Sequence, residues 1–161
     1  SSHTWPVERA WESRPFASVS ELRSSFENAV LAATQQEAEE LIASYSDIVS
    51  LVLDGQGDEQ SLADTANLSV GDLTDKEAEE LRALASAYRK KFGRPLVICV
   101  DNVVDRKHLL ESGWRRVEHS PAREARFALG EVIDIADLRF DQLVADANPM
   151  RAAWDAGVER L

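Results

Sequence analysis

The amino-acid sequence predicts an all-α, single-domain helical bundle with one short extended segment. Apolar residues recur at steps of three and four along most of the chain, which is the spacing of a buried helix face. Capping signatures precede several of these runs, and no two segments show the pattern of paired β-strands. The 161 residues, of which 44% are hydrophobic and 29% charged, fit one domain covering residues 1–161.

The N-terminal half carries two helix signals. Ser20 is the predicted N-cap of a helix whose apolar face consists of Leu22, Phe26, Ala29, Val30 and Ala33. Residues 34–37, Thr-Gln-Gln-Glu, form a capping box in which Glu37 follows the cap Thr34 by three residues. The helix that follows is expected to bury Ala38, Leu41, Ile42 and Tyr45.

Further helices are expected in the C-terminal half. Thr74 begins a second capping box, and Asp105 is the expected cap of a helix that contains Trp114. Ser120-Pro121 places a cap and a first-turn proline before a long helix. The predicted apolar face of that helix consists of Phe127, Val132, Ile135, Leu138 and Leu143. Pro149 is expected to start a last short helix that runs through Trp154.

Two segments lack a helical pattern. Residues 50–72 contain several glycines among polar residues and are predicted to form a loop with at most a helical turn or two. Residues 96–100 are an apolar run that favours extended backbone, but no second strand is available to pair with it. We therefore predict an extended connector, packed between helices, after the Gly93-Arg94-Pro95 break.

Composition argues against several classes of function. The formal net charge of −11 disfavours nucleic-acid binding, which needs a basic surface. No window approaches the roughly 18 apolar residues of a membrane span, and the N-terminus lacks the features of a signal peptide. Cys99, the single cysteine, cannot form an internal disulfide, so a cytoplasmic location is expected. The histidines lack metal-binding spacing, and no metal site is predicted.

Some side chains have both a structural and a functional interpretation. One aromatic set is predicted to belong to the core rather than to a ligand cage: Trp5, Trp11, Phe16 and Trp114. Arg116 lies near a predicted helix end, where a solvated cation is the commoner finding and a carboxylate clamp is the alternative. His119 follows it by three residues and would be its neighbour if the helix continues.

Four segments form a pattern that extends over nearly the whole chain. They are HTWPVERAWESRPFASVSEL at 3–22, Glu59-Gln60, AYRKKFGRPLVICV at 87–100, and WRRVEHSPAREARFALGEVIDIADLRFDQL at 114–143. In this order they resemble the 2-oxo-4-hydroxy-4-carboxy-5-ureidoimidazoline (OHCU) decarboxylase family of purine catabolism. The family's motifs include Arg-Pro-Phe, Glu-Gln, Phe-Gly-Phe-Pro-Phe-Val-Ile and Arg-Leu-x-Asn. Its usual first helix is expected to be missing, because the chain starts close to the Trp5 motif.

The resemblance implies an all-α fold in which the Gly-x-Pro segment runs extended along the substrate pocket. Its peptide groups could then bind a flat, polar heterocycle, whereas a helix uses its own peptide groups internally. Contacts to the substrate are therefore expected from Pro95, Leu96, Val97 and Ile98. The resemblance also implies a homodimer and an anionic heterocyclic substrate, which is decarboxylated to (S)-allantoin without a cofactor.

Carried over residue by residue, the resemblance assigns Glu59 and Arg116 to catalysis. Glu59 would orient a base or hydrogen-bond the ureido group, and Arg116 would bind the substrate carboxylate. Gln60 and Gln56 are expected to bind the substrate. The family's catalytic histidine belongs to a His-Pro-Asp-Leu-Ala motif, and Tyr45 takes its place here.

These departures leave three hypotheses open. The first is that the chain still decarboxylates OHCU. A tyrosine of pKa about 10 is a poor base near neutrality, so a variant of this hypothesis has His119 replace the lost histidine. Arg94, in place of a pocket aromatic, favours a related enzyme acting on another carboxylated heterocycle. Loss of the histidine equally favours a catalytically inactive pseudoenzyme or an interaction module.

Overall fold

Helices make up the regular structure of this chain. The structure, a computed structural model, describes residues 4–54, 63–69 and 73–146. The α-helices discussed below are α1 (Trp5–Trp11), α2 (Val19–Leu31), α3 (Gln35–Ala43), α4 (Ile48–Asp54), α5 (Asp75–Phe92), α6 (Arg106–Val117) and α7 (Pro121–Asp146). Short 3-10 helices cover Ala66–Ser69 and Val100–Asn102. These ranges contain no β-strand, so the all-α prediction is confirmed.

The capping side chains predicted for α3, α5 and α6 are present. Thr34 and Thr74 each accept a hydrogen bond from the N–H of the glutamate three residues on, and each glutamate carboxylate accepts one from the cap N–H. The Asp105 carboxylate accepts from the His108 N–H at 2.8 Å. Each cap satisfies a first-turn N–H that has no acceptor within its helix, which fixes where the helix begins. The helix predicted after Pro149 lies outside the described residues.

The predicted cap of α2 was wrong by two residues. Ser18, rather than Ser20, accepts from the Glu21 N–H at 3.2 Å, and Ser20 lies inside the helix. Both serines satisfy the residue preference of an N-cap. Only Ser18 is followed three residues later by a glutamate, Glu21, and this spacing was the sequence signal for the true cap.

The predicted loop over residues 50–72 was also wrong at its start. The helix α4 continues to Asp54, and it buries Ile48, Val49 and Leu51. Asp47 caps it, since its Oδ1 accepts from the Val49 N–H at 2.9 Å. The run is too short to display a helical period, so its packing against neighbouring elements decides its conformation.

Residues 94–99, here called the ribbon, run extended between two groups of buried side chains. Leu96 and Ile98 belong to the first group, with side chains of α4, α5 and α6. Val97 belongs to the second, with side chains of α1, α2, α3 and α7. Successive side chains of extended backbone point to opposite sides. The ribbon therefore divides the core and contributes to both halves.

Hydrogen bonds from neighbouring elements replace the missing partner strand. The Leu96 N–H donates to Asp47 Oδ2 at 3.0 Å, and the Leu96 C=O accepts from the Ile48 N–H at 2.9 Å. The Val97 C=O accepts from Arg116 Nη1 at 2.5 Å. The Cys99 N–H donates to Glu131 Oε2 at 2.9 Å. These acceptors and donors let a lone extended segment stay buried without unpaired peptide groups at these positions.

Two glycines meet specific steric requirements. Gly93 ends α5 in the left-handed region, at φ 68° and ψ 21°, which L side chains rarely adopt. A Cβ at Gly113 would collide with the Leu84 side chain, so glycine permits the close approach of α6 to α5. Both lie where the chain turns into or packs beside the ribbon.

The aromatic residues predicted for the core are not all buried. Trp11 is 55% exposed and Trp114 is 41% exposed, so the prediction was wrong for both. Phe16 is partly buried, and its ring centroid lies 6.4 Å from that of Trp11. Trp5 packs against the second buried group. None of the described helices has both the length and the apolar character of a membrane span.

Replacing Asp47 by alanine should lower the free energy of unfolding by about 2–4 kcal/mol, because both the α4 cap and the Leu96 N–H lose their acceptor. Urea denaturation followed by circular dichroism measures the change. Asp54→Ala, at the exposed end of α4, is the control and should change stability by less than about 0.5 kcal/mol. Equal effects of the two substitutions would contradict this role of Asp47.

Candidate active site

The structure distributes the predicted site residues among three cavities. Tyr45 and Ile98 line one, here called the Tyr45 cleft. Ile98, Arg116 and His119 line the second, the Arg116 cavity. Arg94 lines the third, the Arg94 cavity. Pro95, Leu96 and Val97 are buried, and the remaining predicted residues lie outside the described ranges: Gln56, Glu59 and Gln60.

The Tyr45 cleft lies between α4, the ribbon and α7. It has a volume of about 30 Å³, and its walls include Tyr45, Ile98, Leu138 and Arg139. Burial raises the pKa of the Tyr45 phenol, and the nearby positive charge of Arg139 opposes that rise. A phenol whose pKa lies above its usual value stays protonated at neutral pH. Tyr45 can therefore donate a hydrogen bond here, but it cannot act as a base.

Arg139 is a candidate site residue that the sequence analysis missed. It lies on the face of α7 that also carries Ile135 and Leu138, and all of these side chains line the cleft. Residues separated by three or four positions share a helix face. An arginine on the apolar side of a predicted helix was the available signal, because buried arginines are rare unless they have a polar partner.

Ile98 lines both the Tyr45 cleft and the Arg116 cavity. Within the part of the chain that is described, no hydrogen bond uses the Ile98 N–H or C=O, whereas Leu96, Val97 and Cys99 all have backbone partners. Of the ribbon, Ile98 is thus the residue best suited to bind a ligand through its backbone.

The Arg116 cavity has a volume of about 500 Å³, and Arg116 on its wall belongs to a buried ion pair. Arg116 is 2% exposed and Glu124 is 0% exposed. Arg116 Nε donates to Glu124 Oε1 at 2.7 Å, and Nη2 lies 2.5 Å from the same oxygen. Arg116 Nη1 donates to the Val97 C=O. The guanidinium is therefore neutralised by protein groups, although the sequence predicted that it binds a substrate carboxylate.

Two more side chains complete the surroundings of Glu124. The Tyr88 hydroxyl donates to Glu124 Oε1 at 2.7 Å, and His119 Nδ1 lies 2.9 Å from Glu124 Oε2. Burial, together with the hydrogen bond to the carboxylate, raises the pKa of Tyr88 to about 12. The Arg116 charge opposes that rise. His119 is thus a neighbour of Arg116 as predicted, but it contacts Glu124 and does not line the Tyr45 cleft.

Arg94 lies apart from the other predicted residues. It is 9% exposed, and its Cζ lies 5.7 Å from the centroid of the Phe92 ring. The cavity that it lines shares no residue with the Tyr45 cleft or with the Arg116 cavity. Cys99 is buried, and burial raises the pKa of its thiol to about 11, which disfavours the reactive thiolate.

Comparison with known proteins identifies the family. The family model described as OHCU decarboxylase matches residues 1–141. The chain belongs to the OHCU decarboxylase family. A Haloferax volcanii OHCU decarboxylase is 35% identical over 135 residues, which cover 84% of this chain and 78% of the relative. The OHCU decarboxylase of Xenopus laevis is 27% identical over 134 residues, which cover 83% and 76%.

Solved structures agree with this family fold. An OHCU decarboxylase crystallised in the presence of (S)-allantoin superposes with a TM-score of 0.72 at 17% identity, covering 89% of this chain and 92% of that one. An (S)-allantoin synthase superposes with a TM-score of 0.61 at 24% identity, covering 83% of this chain. The present chain spans 40% of the length of that synthase. That Tyr45 takes the place of the family's histidine stays a prediction of the sequence analysis.

Replacing Glu124 by glutamine should lower the free energy of unfolding by about 3–5 kcal/mol, because the buried Arg116 charge loses its counter-ion. Guanidinium denaturation measures the change. The exposed Glu118→Gln on the adjoining turn is the matched control and should change stability by less than about 0.5 kcal/mol. A wild-type unfolding midpoint for Glu124→Gln would show that Arg116 does not depend on this carboxylate.

Proposed function

We propose that this chain decarboxylates OHCU to (S)-allantoin and that the Tyr45 cleft is the substrate site. One observation carries the proposal: Tyr45, Arg139 and Ile98 line a single cleft in a member of the OHCU decarboxylase family. The cleft thus combines a hydrogen-bond donor, a cation and peptide groups. These are the groups that a flat, polar, carboxylated heterocycle would need.

The reaction requires little from the protein beyond binding and proton transfer. The bond between the ring carbon and its carboxylate breaks, CO2 leaves, and the conjugated ring accepts the electron pair. The hydroxyl on the same carbon then loses its proton to become a carbonyl. The carbon that carries the ureido group gains a proton, and so does the ring nitrogen that received the electron pair. One proton is consumed for each CO2 released. The ring itself serves as the electron acceptor, so the proposed reaction proceeds without a cofactor.

Arg139 is the proposed carboxylate-binding residue. Its positive charge lies close enough to Tyr45 to affect the phenol pKa, and both side chains line the same cleft. A guanidinium binds a carboxylate through two parallel hydrogen bonds, which fixes the orientation of the substrate. The sequence assigned this role to Arg116, whose guanidinium already contacts Glu124 and the Val97 C=O. That assignment stays a prediction that the same experiment tests.

Tyr45 acts in this proposal as a neutral donor rather than as a base. Its raised pKa keeps the phenol protonated, so it can hydrogen-bond the oxygen that becomes the carbonyl of the product. The base is then another group. Glu59 stays the residue predicted to orient that base or to hydrogen-bond the ureido group, with Gln60 and Gln56 as further substrate contacts. The described walls enclose about 30 Å³, so substrate binding requires the cleft to widen.

An inactive family member is the alternative function. Two observations favour it: tyrosine replaces the family's histidine, and the cleft is small. An enzyme for another carboxylated heterocycle was the other alternative, but the Arg94 that motivated it lines a different cavity. On the family relationship we also propose a homodimer, to whose interface the exposed Trp114 contributes, and a cytoplasmic location.

Arg139→Met should lower kcat/KM for OHCU generated in situ by about 10- to 100-fold, because the substrate carboxylate loses a charged hydrogen-bond partner. Circular dichroism of the (S)-allantoin formed gives the rate. Arg123→Met, on the wall of the Arg116 cavity, is the control and should change the rate less than about 2-fold. A loss confined to Arg123→Met would move the substrate site to the Arg116 cavity. A wild-type rate no faster than buffer would support the inactive alternative.

Tyr45→His should introduce a group that titrates near pH 6.5, and the rate should then rise between about pH 5.5 and 7.5 as that group loses its proton. The wild-type rate should show no such rise from Tyr45, because burial raises the pKa of its phenol above the ordinary value. Tyr45→Phe removes the donor and should lower the rate by about 10-fold. His119→Ala is the control. If the wild-type profile has a limb near pH 6.5 that His119→Ala abolishes, His119 is the proton-transfer group instead.

A further inference from the structure

The Arg94 cavity is a large cleft for which the proposed decarboxylation has no use. It has a volume of about 630 Å³ and lies between α3, the end of α5 and the start of α7. None of its lining residues belongs to the Tyr45 cleft. A ligand bound there would therefore not contact the proposed substrate site.

The guanidinium of Arg94 is buried without full satisfaction of its donors. The side chain is 9% exposed, and its Nε and Nη2 have no hydrogen-bond partner among the described residues. Arg94 takes part in none of the ion pairs described for this chain. A buried cation without a counter-ion is costly, and an anion in the adjoining cavity would reduce that cost.

The neighbouring buried carboxylate cannot compensate Arg94. Arg94 lies beside the Tyr88 phenol, and its contact opposes the rise in the Tyr88 pKa. Beyond Tyr88, Glu124 is already engaged by Arg116 and His119. The buried network of Arg94, Tyr88, Glu124 and Arg116 thus contains two guanidinium groups and one carboxylate. One of its positive charges therefore has no counter-ion within the network.

The cavity walls combine cations with apolar surface. The wall carries three cations, Lys91, Arg94 and Arg126, and one carboxylate, Glu39. This local excess of positive charge contrasts with the net charge of −11 for the whole chain. Lys91 donates to the Val117 C=O at 2.5 Å. The rest of the wall is largely apolar and includes Phe92 and Leu129. Such a site favours a ligand with an anionic head and an apolar body.

We infer that the Arg94 cavity is a second ligand site, which binds a small organic carboxylate with an apolar body. The carboxylate contacts Arg94 and is attracted by Lys91 and Arg126, while the body packs against Phe92 and Leu129. The inference rests on this cavity alone. It does not require that the chain decarboxylate OHCU.

The test uses the full chain and phenylacetate as the probe. Titration followed by two-dimensional amide NMR should shift the resonances of Phe92, Ala122 and Leu129, which line the cavity. The neutral isostere 2-phenylethanol should bind at least about 10-fold more weakly, because it lacks the charge that Arg94 recognises. Inorganic phosphate, which lacks the apolar body, should also bind at least about 10-fold more weakly. Equal binding of either control probe would overturn the proposed ligand class.

Arg94→Met removes the charge and keeps an apolar side chain of similar length. It should weaken phenylacetate binding at least about 10-fold, whereas Arg82→Met, an exposed change of the same charge on α5, should leave it unchanged. Without ligand, Arg94→Met should unfold at a higher denaturant concentration than the wild type, because an unpaired buried charge is gone. Undiminished binding by a folded Arg94→Met would overturn the inference.

Arg139→Met separates the two proposals. It should bind phenylacetate as the wild type does, even though the proposed decarboxylation requires Arg139. Loss of phenylacetate binding in Arg139→Met would show that the probe occupies the Tyr45 cleft, and the second site would be refuted. Failure of OHCU turnover alone would leave this result unaffected.

Discussion

The buried carboxylate of Glu124 connects the helices and the ribbon that form the cavity walls. It accepts hydrogen bonds from Tyr88 of α5 and Arg116 of α6, and it contacts His119 at the turn into α7. Arg116 in turn donates to the Val97 C=O of the ribbon. One carboxylate therefore links three helices to the extended segment. Because Tyr88, Arg116 and Glu124 are all buried, removing one of them leaves another polar group unpaired, and the arrangement is specific as well as stable.

The ribbon, which Arg116 holds in place, is a candidate binding surface. Its side chains alternate between the two buried groups, so its direction and register are fixed on both sides. Hydrogen bonds to Asp47, Arg116 and Glu131 then use three of its backbone groups. Ile98 lines two cavities, and no hydrogen bond among the described residues uses its N–H or C=O. An extended segment can present such groups to a ligand, and a helix in the same place could not.

The three arginines of the cavities differ in function because they differ in their partners. Arg116 is neutralised by Glu124 and supports the structure. Arg139 acts on the neutral Tyr45 phenol and lines the cleft proposed for the substrate. Arg94 is buried with donors to spare and lines a separate cavity. In a chain of net charge −11, these local positive sites are where anionic ligands can bind, since the overall field repels them elsewhere.

The sequence by itself determined the helices, most of their caps and the extended segment after Gly93, because these depend on local spacing and on the backbone freedom of single residues. It also determined the family, whose motifs extend over nearly the whole chain. Only the tertiary structure decided which arginine accompanies Tyr45. Arg116 and Arg139 both lie on amphipathic helices, so local sequence spacing does not distinguish them. Glu124 does, because it contacts Arg116, whereas Arg139 lines the Tyr45 cleft. Such pairing joins side chains from different helices, so its distances follow from how the helices pack and not from spacing along the chain.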